Sequence, residues 1–263
     1  MAVLTDDLSL ALELADAADE ITLARYGAVD LAVSTKPDMT PVTEADTAAE
    51  QAIRGRLADS RPSDLVLGEE YGSEGEDSGR RWIVDPIDGT KNYVRGIPVW
   101  ATLLALEEDG ECTVGVVSAP ALGRRWWAAR GQGAYAEWEG DARALQVSAV
   151  SDLADAQLTL AGQKELLAGS RRDGVLSLVE RCWRTRGFGD FWAYMLVAEG
   201  ALEIAIDAPG VSLWDLAAPL VIVEEAGGRF SDFAGQRTAG AGEGMATNGL
   251  LHDQVLELLA GGA

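Results

Sequence analysis

The sequence predicts a mixed α/β (α+β) fold built from two lobes. Two observations lead to this prediction: short strands dominate the first half of the 263-residue chain, whereas strands alternate with helices in the second half. The change of pattern falls within residues 140–150. We therefore assign residues 1–145 to an N-terminal α+β lobe and residues 146–263 to a C-terminal α/β lobe.

The N-terminal lobe is predicted to begin with two helices. Apolar residues recur at helical spacing through the first, at Leu8, Leu12, Ala15 and Ala18. Gly27 ends this helix, and the second opens at residues 43–46 and reaches Leu57. Five short apolar strands follow, over residues 65–67, 81–84, 101–106, 112–118 and 125–128. Pro86 is expected to stop the second of these strands, because proline cannot donate to a sheet ladder.

The C-terminal lobe is predicted to alternate strands and helices. A strand near Leu158 precedes a helix after Ser170, and a helix over residues 191–199 precedes a strand over residues 202–206. The last predicted helix follows Trp214 and is apolar as far as residue 223. Pro219 lies inside it and cannot bond to the Asp215 carbonyl, so we expect a bend there.

The charge balance excludes several classes of partner. Asp and Glu number 43 against 21 Lys and Arg, which gives a formal net charge of -22. Such a surface repels the phosphates of nucleic acids and of anionic lipids, so we expect no nucleic-acid partner and no membrane partner. The first residues lack a basic signal-peptide region, and two cysteines are too few for a disulfide framework. A cytoplasmic protein is expected.

The segment Asp85-Pro86-Ile87-Asp88-Gly89-Thr90 is the most informative part of the chain. A strand delivers Asp85 to the carboxyl end of a sheet, where α/β proteins bind ligands. Gly89 and Thr90 are expected to begin a helix. Two carboxylates at such a point can hold hard cations while free N–H groups face a phosphate. Taken alone, the segment is equally well explained as an Asx-turn and a helix cap.

Further acidic residues lie at comparable positions. Glu69 and Glu70 follow the strand over residues 65–67, and Asp215 begins the last apolar helix. Individually, Glu69 fits a solvated loop, and Asp215 fits a charge favoured by the helix dipole. Together with Asp85 and Asp88, they offer the oxygen ligands that Mg²⁺ prefers.

These segments resemble the motifs of the inositol monophosphatase family. The matching segments, in chain order, are residues 43–46, 67–70, 82–93, 212–218 and 224–228. Their order and spacing agree with the family over nearly the whole chain. The resemblance implies a layered α-β-α-β-α sandwich of the inositol monophosphatase/fructose-1,6-bisphosphatase type. It also implies hydrolysis of a small phosphorylated metabolite and a homodimer formed through the first lobe.

The resemblance implies a set of metal ligands. Glu69, Asp85 and the main-chain carbonyl of Ile87 would hold one Mg²⁺ ion. Asp85, Asp88 and Asp215 would hold a second, and Glu69 would hold a weaker third. Two or three Mg²⁺ ions are therefore expected for each active site.

The resemblance also implies catalytic and phosphate-binding roles. Thr90 would orient the attacking water, with Asp46 hydrogen-bonded behind it and Glu69 beside them. The N–H groups of Gly89 and Thr90 would grip the phosphate. The implied reaction is in-line attack of a metal-bound water on phosphorus, with no phospho-enzyme.

Other phosphatase chemistries lack their residues in this sequence. The one histidine, His252, is expected at the surface or as a capping residue, so a histidine nucleophile is excluded. No arginine stands six positions after Cys112 or Cys182, which excludes the thiolate phosphatase loop. Ile87 stands two residues after Asp85, where an aspartyl-phosphate enzyme would carry a second aspartate.

The pocket beyond the phosphate differs from that of inositol-cleaving relatives. Asp190 stands where they carry a small hydroxyl residue, and Ala208 stands where they carry a carboxylate. With Asp207 as a helper, Asp190 would suit a cationic leaving group, and Arg186 is a further candidate for substrate binding. Asp190 could also be a helix N-cap before Phe191, and both roles could hold.

Four segments resemble the histidinol-phosphate phosphatase branch of the family, namely residues 94–100, 124–130, 189–191 and 196–200. That branch releases L-histidinol and phosphate in histidine biosynthesis. Trp126 and Trp127 could stack on an imidazole, although such residues more often belong to the core.

Hydrolysis of L-histidinol phosphate is the leading hypothesis. The alternatives within the class are an inositol-1-phosphate phosphatase and a broad-specificity sugar-phosphate phosphatase. A 3′-phosphoadenosine nucleotide would require more basic residues near the pocket. Outside the class, the chain could be a partner-binding regulator that has kept the fold. The intact acidic residues and Thr90 argue against that reading.

Overall fold

The computed structural model describes residues 5–37, 39–76, 78–138 and 140–261. The helices are α1 (Asp6–Arg25), α2 (Glu44–Ser60), α3 (Thr90–Val94), α4 (Gln163–Ala168), α5 (Arg172–Arg181), α6 (Asp190–Ala198), α7 (Leu213–Glu225) and α8 (His252–Leu259). The strands of the first half are β1 (Val33–Thr35), β2 (Pro41–Thr43), β3 (Leu65–Gly68), β4 (Gly72–Glu74), β5 (Arg80–Asp88), β6 (Ala101–Glu108), β7 (Glu111–Ala119), β8 (Arg124–Ala129), β9 (Ala134–Trp138) and β10 (Asp141–Ala144). Those of the second half are β11 (Gln157–Ala161), β12 (Arg184–Arg186), β13 (Ile204–Asp207), β14 (Arg229–Ser231) and β15 (Gly244–Thr247).

Two large sheets organise the chain. The first has eight strands in the order β10-β9-β8-β7-β6-β5-β3-β4, and β3 and β5 are its parallel pair. The second has five strands in the order β12-β11-β13-β15-β14, with β11 parallel to both of its neighbours. The short strands β1 and β2 form a separate antiparallel hairpin. The chain crosses from the first sheet to the second between β10 and β11.

Helices fill the space between the sheets and cover their outer faces. Along β5, Trp82 packs with α1 and α2 on one face of the first sheet, whereas Ile83 points to the opposite face, where α6 and α7 lie. Successive side chains of a strand point to opposite faces, so a strand covered on both sides reads as a continuous apolar run. Helices α5 and α8 cover the far face of the second sheet. The layer order is therefore α-β-α-β-α, as expected.

The predicted helices and strands are present, but β5 is longer than predicted. It continues through Pro86 to Asp88, and its pairing with β6 shifts register between Asp85 and Asp88. At such an irregularity the residues lie outside the regular pairing of the two strands, so the missing N–H of Pro86 costs no hydrogen bond between them. The Pro86 carbonyl is still satisfied, because it accepts a 2.8 Å bond from Thr102 Oγ1. The proline redirects the strand without ending it.

His252 and Pro219 both lie in helices of the second half of the chain. The prediction that His252 is a surface or capping residue is wrong: it begins α8 but is fully buried between Ser231 and Thr247. Pro219 lies inside α7, and the helix continues past it to Glu225. The bend expected at Pro219 stays a prediction.

The division into lobes at residues 145–146 also stays a prediction. The two sheets fall on either side of it, but one hydrophobic cluster contains Ile83 and Val117 from the first sheet together with Phe191 and Leu220 from the second half. Both cysteines are free and buried. Among the described residues, no helix combines the length and the apolar character needed to cross a bilayer.

Candidate metal and phosphate site

Three carboxylates from distant parts of the chain meet in one place. Asp85 and Asp88 come from the end of β5, and Asp215 comes from the first turn of α7. Each offers an oxygen, and these oxygens lie within 4.8 Å of one another. Asp85 and Asp88 are buried and Asp215 is half-buried. The structure thus brings together three of the residues predicted to bind metal.

Main-chain N–H groups hold each of these carboxylates in place. Ile87 N donates to Asp85 Oδ1 over 3.0 Å, within the turn that the irregular strand end creates. Phe191 N, in the first turn of α6, donates to Asp88 Oδ2 over 2.5 Å. Each of these contacts uses one carboxylate oxygen of Asp85 or Asp88 and fixes the direction of the side chain.

Asp215 is positioned by a capping box at the start of α7. Ser212 N donates to Asp215 Oδ2 over 2.6 Å, and the Ser212 side chain accepts from the backbone of the same turn. A capping box satisfies two of the unpaired N–H groups at a helix start. The local sequence therefore fixes the direction in which the Asp215 side chain leaves the helix.

The cluster is electrostatically unfavourable without a cation. Burial raises the pKa of Asp85 well above its usual range, and the charges of Glu69, Asp88 and Asp215 raise it further. Burial also raises the pKa of Asp88 well above its usual range, and that of Asp215 to about 6. Like charges in a buried site disfavour one another's ionisation. A divalent cation would relieve this repulsion, and hard carboxylate and carbonyl oxygens fit Mg²⁺.

Glu69 lies next to the three carboxylates at the end of β3. Its backbone N–H bonds to the Val84 carbonyl of β5, and its side chain lies within hydrogen-bonding reach of Asp85. Gly68 makes this turn possible, because a Cβ at that position would lie 2.0 Å from Glu50 Oε1. Glu50 in turn accepts a 2.8 Å bond from the N–H of Glu70.

Lys36 is a site residue that sequence reasoning missed. Its Nζ lies 2.7 Å from Glu69 Oε1 and 2.7 Å from Glu70 Oε1, at the turn of the β1–β2 hairpin. Burial raises the pKa of Glu70 to about 7, although Lys36 opposes this shift. The available signal was weak: a lysine in a short loop of a chain that contains few lysines.

Thr90 and Asp46 lie together, as the resemblance implied. Thr90 Oγ1 is 3.3 Å from Asp46 Oδ1 and 3.0 Å from the Ile87 carbonyl oxygen. Asp46 is fixed by a capping box at the start of α2, where its Oδ2 accepts bonds from Thr43 N over 2.9 Å and from Thr43 Oγ1 over 2.5 Å. Both neighbours of Thr90 Oγ1 are acceptors, so its proton is directed to one of them and an oxygen lone pair stays available to accept a hydrogen bond. Gly89, at φ +85°, is the N-cap of α3.

A cavity of about 500 Å³ opens beside the carboxylates. It is lined by Asp88, Leu160, Ala161, Gly162, Gln163, Gly187, Gly189, Asp190, Phe191, Tyr194, Asp207, Val211 and Asp215. Asp190 and Asp207 thus reach the same cavity as two of the metal-site carboxylates. None of these described lining residues is basic.

The structure corrects the expectation that Asp190 is a helix N-cap. Gly189 takes that position, and Asp190 is the first residue of α6, with φ +55°. Its side chain turns toward Asn92, whose Nδ2 donates to Asp190 Oδ2 over 2.9 Å. A positive φ is uncommon outside glycine, although Asp and Asn tolerate it better than other residues.

Asp207 is buried at the end of β13. Tyr194 OH donates to Asp207 Oδ2 over 3.2 Å, and burial raises the pKa of Asp207 to about 7. Arg186, by contrast, is exposed and does not line the cavity; its guanidinium donates to the Thr185 carbonyl over 2.8 Å. The structure therefore does not bring Arg186 together with Asp190 and Asp207.

The two tryptophans considered for imidazole stacking are core residues. Trp126 is fully buried against Phe191, and its Nε1 donates to Glu199 over 2.8 Å. Trp127 stacks on Tyr135 within the first sheet, at a centroid distance of 6.2 Å. Neither side chain lines the cavity.

Comparisons with known proteins agree over nearly the whole chain. The sequence profile of the inositol monophosphatase family matches residues 4–261. The histidinol-phosphatase of Mycobacterium tuberculosis is 54% identical over 258 residues, which are 98% of this chain and 99% of that protein. The histidinol-phosphatase of Streptomyces coelicolor is 53% identical over 259 residues, 97% of each chain. The solved structure of the extragenic suppressor protein suhB from Bartonella henselae has a TM-score of 0.89 at 30% identity, with coverage of 98% of this chain and 100% of that one.

Proposed function

The chain belongs to the inositol monophosphatase family, and we propose that it hydrolyses L-histidinol phosphate to L-histidinol and phosphate. One observation carries the choice of substrate. The cavity beside the carboxylate cluster contains two additional acidic side chains, Asp190 and Asp207, and no basic lining residue among those described. A leaving group with an ammonium group fits this cavity better than a neutral polyol does.

The cluster is proposed to hold two or three Mg²⁺ ions. Asp85, Asp88 and Asp215, whose oxygens lie within 4.8 Å of one another, would supply one set of ligands. Glu69, Asp85 and the Ile87 carbonyl would supply another, as the resemblance implies. Bound Mg²⁺ would supply Lewis-acid stabilisation of the negative charge on the phosphoryl group. This charge compensation is needed because the chain carries a net charge of -22 and the site is acidic.

The protein's own groups are proposed to orient the water and the phosphate. With its proton directed to Asp46 or to the Ile87 carbonyl, Thr90 Oγ1 presents a lone pair that can accept a hydrogen from the attacking water. The N–H groups of Gly89 and Thr90, at the start of α3, would bind phosphate oxygens.

The recognition of the leaving group is proposed to be electrostatic. Asp207 is buried and Asp190 is half-buried, so an ammonium placed between them would gain an interaction that water screens only in part. Ala208, where inositol-cleaving relatives carry a carboxylate, is buried against Gly162. Arg186 lies outside the cavity lining, so we assign it no direct contact with the leaving group.

Phosphate release from a panel of monoesters tests the proposal. We expect turnover of L-histidinol phosphate to exceed that of inositol 1-phosphate and glycerol 1-phosphate by at least about tenfold in kcat/KM, and to require Mg²⁺. Equal rates on all three would favour a broad-specificity phosphatase. Absence of release with every ester in the presence of Mg²⁺ would favour the alternative of a partner-binding regulator.

A homodimer that acts in the cytoplasm completes the proposal. The dimer is proposed from the resemblance to the family, and the free, buried Cys112 and Cys182 are consistent with a reducing compartment. Light scattering coupled to gel filtration should give about twice the 27.8 kDa mass of the chain. A mass equal to one chain at micromolar concentration would contradict the dimer.

A further inference from the structure

Asn92 connects the phosphate end of the site to the leaving-group cavity. It lies in α3, two residues after Thr90, and its Nδ2 donates to the Val99 carbonyl over 2.8 Å and to Asp190 Oδ2 over 2.9 Å. The first bond ties Asn92 to its own half of the chain. The second reaches across to the first residue of α6 in the other half.

The orientation of the Asn92 amide follows from these partners. Both the Val99 carbonyl and the Asp190 carboxylate are acceptors, so the amide nitrogen must face them. The two hydrogens of one NH₂ group can satisfy both bonds at once. A side chain without this donor would leave the Asp190 carboxylate without the bond that fixes its direction.

Asp190 needs such a bond more than most carboxylates do. Its φ of +55° is a conformation that side chains other than Asn and Asp rarely adopt, and it faces the charge of Asp88. Within the cavity, repulsion from Asp88 and Asp207 would push a loosely held carboxylate away from its place. The Asn92 bond opposes this displacement.

Gly89 places the start of α3 between the Val99 carbonyl and the Asp190 side chain. A Cβ at Gly89 would lie 3.0 Å from the Val99 carbonyl oxygen and 3.5 Å from Asp190 Oδ2. The tight contact with the Val99 carbonyl and the φ of +85° favour glycine at this position, whereas the distance to Asp190 is an ordinary van der Waals contact. The same short segment therefore presents N–H groups for the phosphate and the Asn92 amide for Asp190.

We propose that Asn92 is a positioning residue that aims the Asp190 carboxylate at the cationic part of the leaving group, and that it thereby sets the preference for cationic over neutral monoesters. This inference rests on the proposed function. It assigns to α3 a second task, beside its role at the phosphate.

The test uses two substrates that differ in one charge. L-Histidinol phosphate carries an ammonium, and 3-(imidazol-4-yl)propyl phosphate is the same molecule without it. At about pH 8, where both imidazoles are neutral, the ratio of their kcat/KM values measures recognition of the ammonium. For Asn92→Ala we expect this ratio to fall about tenfold, mainly through a higher KM for L-histidinol phosphate, because the Asp190 carboxylate loses a charge-assisted hydrogen bond. Asn92→Asp should lower the ratio further, since it places a second carboxylate against Asp190.

A double-mutant cycle identifies the path of the effect. Asp190→Asn removes the charge. It keeps the shape of the side chain, and asparagine also tolerates the positive φ. In the Asp190→Asn background, Asn92→Ala should lower the substrate ratio by less than about twofold. If Asn92→Ala lowers the ratio as much in this background as in the wild-type enzyme, then Asn92 acts independently of Asp190, and the proposal is overturned.

Asn248→Ala provides a matched control. Asn248 is a buried asparagine whose amide, like that of Asn92, ties two segments together. It bonds to the Ser148 and Val150 carbonyls and does not line the cavity. This variant should keep the wild-type substrate ratio. If Asn92→Ala lowers kcat equally on both substrates, then Asn92 serves α3 alone and the inference fails. If the wild-type enzyme does not distinguish the two substrates, the proposed function fails instead.

Discussion

Thr90 illustrates how one hydroxyl can be placed by its acceptors. Its Oγ1 lies between Asp46 and the Ile87 carbonyl, and both are fixed by their own bonds to the backbone or to Thr43. The hydroxyl proton can bond to either acceptor, which leaves an Oγ1 lone pair available to accept a hydrogen bond. The position of this hydroxyl is therefore set by a carboxylate and a carbonyl that other parts of the chain hold in place.

Replacement of Thr90 should separate catalysis from metal binding. We expect Thr90→Ala to lower kcat by about 10²–10⁴-fold, the range typical of a positioned group that handles a proton. Thr90→Ser should retain most of the activity, because it keeps the hydroxyl. Steady-state kinetics provide the measurement. The rise in Tm caused by Mg²⁺ should be the same in all three proteins. Equal losses in the Ala and Ser variants would contradict the assigned role.

The identities of the acidic site residues could be predicted from sequence, but their surroundings could not. Asp85 and Asp88 are recognisable because a strand and a helix start leave a signature around them. Lys36 was missed, since its contact with Glu69 depends on a hairpin that folds over the site. The N-cap position considered as one alternative for Asp190 is taken by Gly189, and the Asp190 side chain bonds to Asn92. Tertiary contacts override local propensity at such positions.

At the scale of elements, α8 is anchored by a buried histidine. His252 Nδ1 lies 3.0 Å from Thr247 Oγ1, and its Nε2 lies 2.9 Å from Ser231 Oγ. Ser231 Oγ donates to the Asp232 carbonyl, so it must accept from Nε2–H, and Nδ1 then accepts from Thr247. The ring is therefore held as the neutral Nε2–H tautomer between β14, β15 and α8.

This anchor should weaken in acid. Burial lowers the pKa of His252 to about 4, whereas an unfolded histidine titrates near about 6.5. The folded state binds fewer protons between these values, so the contribution of His252 is fully present above about pH 6.5 and is lost as the pH falls toward 4. The wild-type protein should have a higher free energy of unfolding than His252→Asn at about pH 7.5. This difference should be smaller by about 2 kcal/mol at about pH 5.

Urea unfolding at the two pH values measures this difference, and the variant removes the background of all other titrating groups. The free-energy difference between the two proteins should shrink toward acid pH. A difference that does not change with pH would mean that the pKa of His252 is the same in the folded and the unfolded protein. The histidine would then not be held in a closed, neutral network.

Long periodic elements could be predicted from sequence, but the short strands could not. The 20-residue α1 and the apolar β6 and β7 have clear patterns, and their predicted positions agree with the structure. The three-residue strands β1, β12 and β14 were missed, because so short a segment has no measurable periodicity and exists only through its partners. The continuation of β5 through Pro86 was missed for a similar reason, since it depends on the partner strand β6.

At the scale of the whole molecule, the fold concentrates negative charge at the place where its two halves meet. The first half supplies Glu69, Asp85 and Asp88, and the second supplies Asp190 and Asp215. Burial raises the pKa values of these aspartates, so in the absence of metal the folded protein keeps protons that the unfolded chain releases near about pH 4. A cation bound between the halves would remove this repulsion.

The stabilisation by Mg²⁺ should therefore grow with pH. The pKa values of these carboxyls are higher in the folded than in the unfolded protein, so the metal-free protein binds more protons when it is folded. It therefore loses stability as the pH rises from about 4 through the pKa values of the folded protein. These are about 6 for Asp215 and about 7 for Asp207. Mg²⁺ must displace those protons, so it binds better at high pH. We expect the Mg²⁺-induced rise in Tm to be several degrees larger at about pH 8 than at about pH 5.5. Differential scanning calorimetry with matched Mg²⁺ and chelator samples measures it.

Asp215→Asn is the control for this linkage, because it keeps the bond from Ser212 N while removing one charge from the cluster. Without metal at about pH 8, this variant should unfold at a higher temperature than the wild-type protein, since one source of repulsion is gone. With Mg²⁺ the order should reverse, because the variant has lost a ligand. The His252 effect does not interfere, since it is the same with and without metal. A Mg²⁺-induced shift that is equal at both pH values, or a variant that is less stable than wild type in chelator, would mean that the carboxylates do not repel one another in the folded protein.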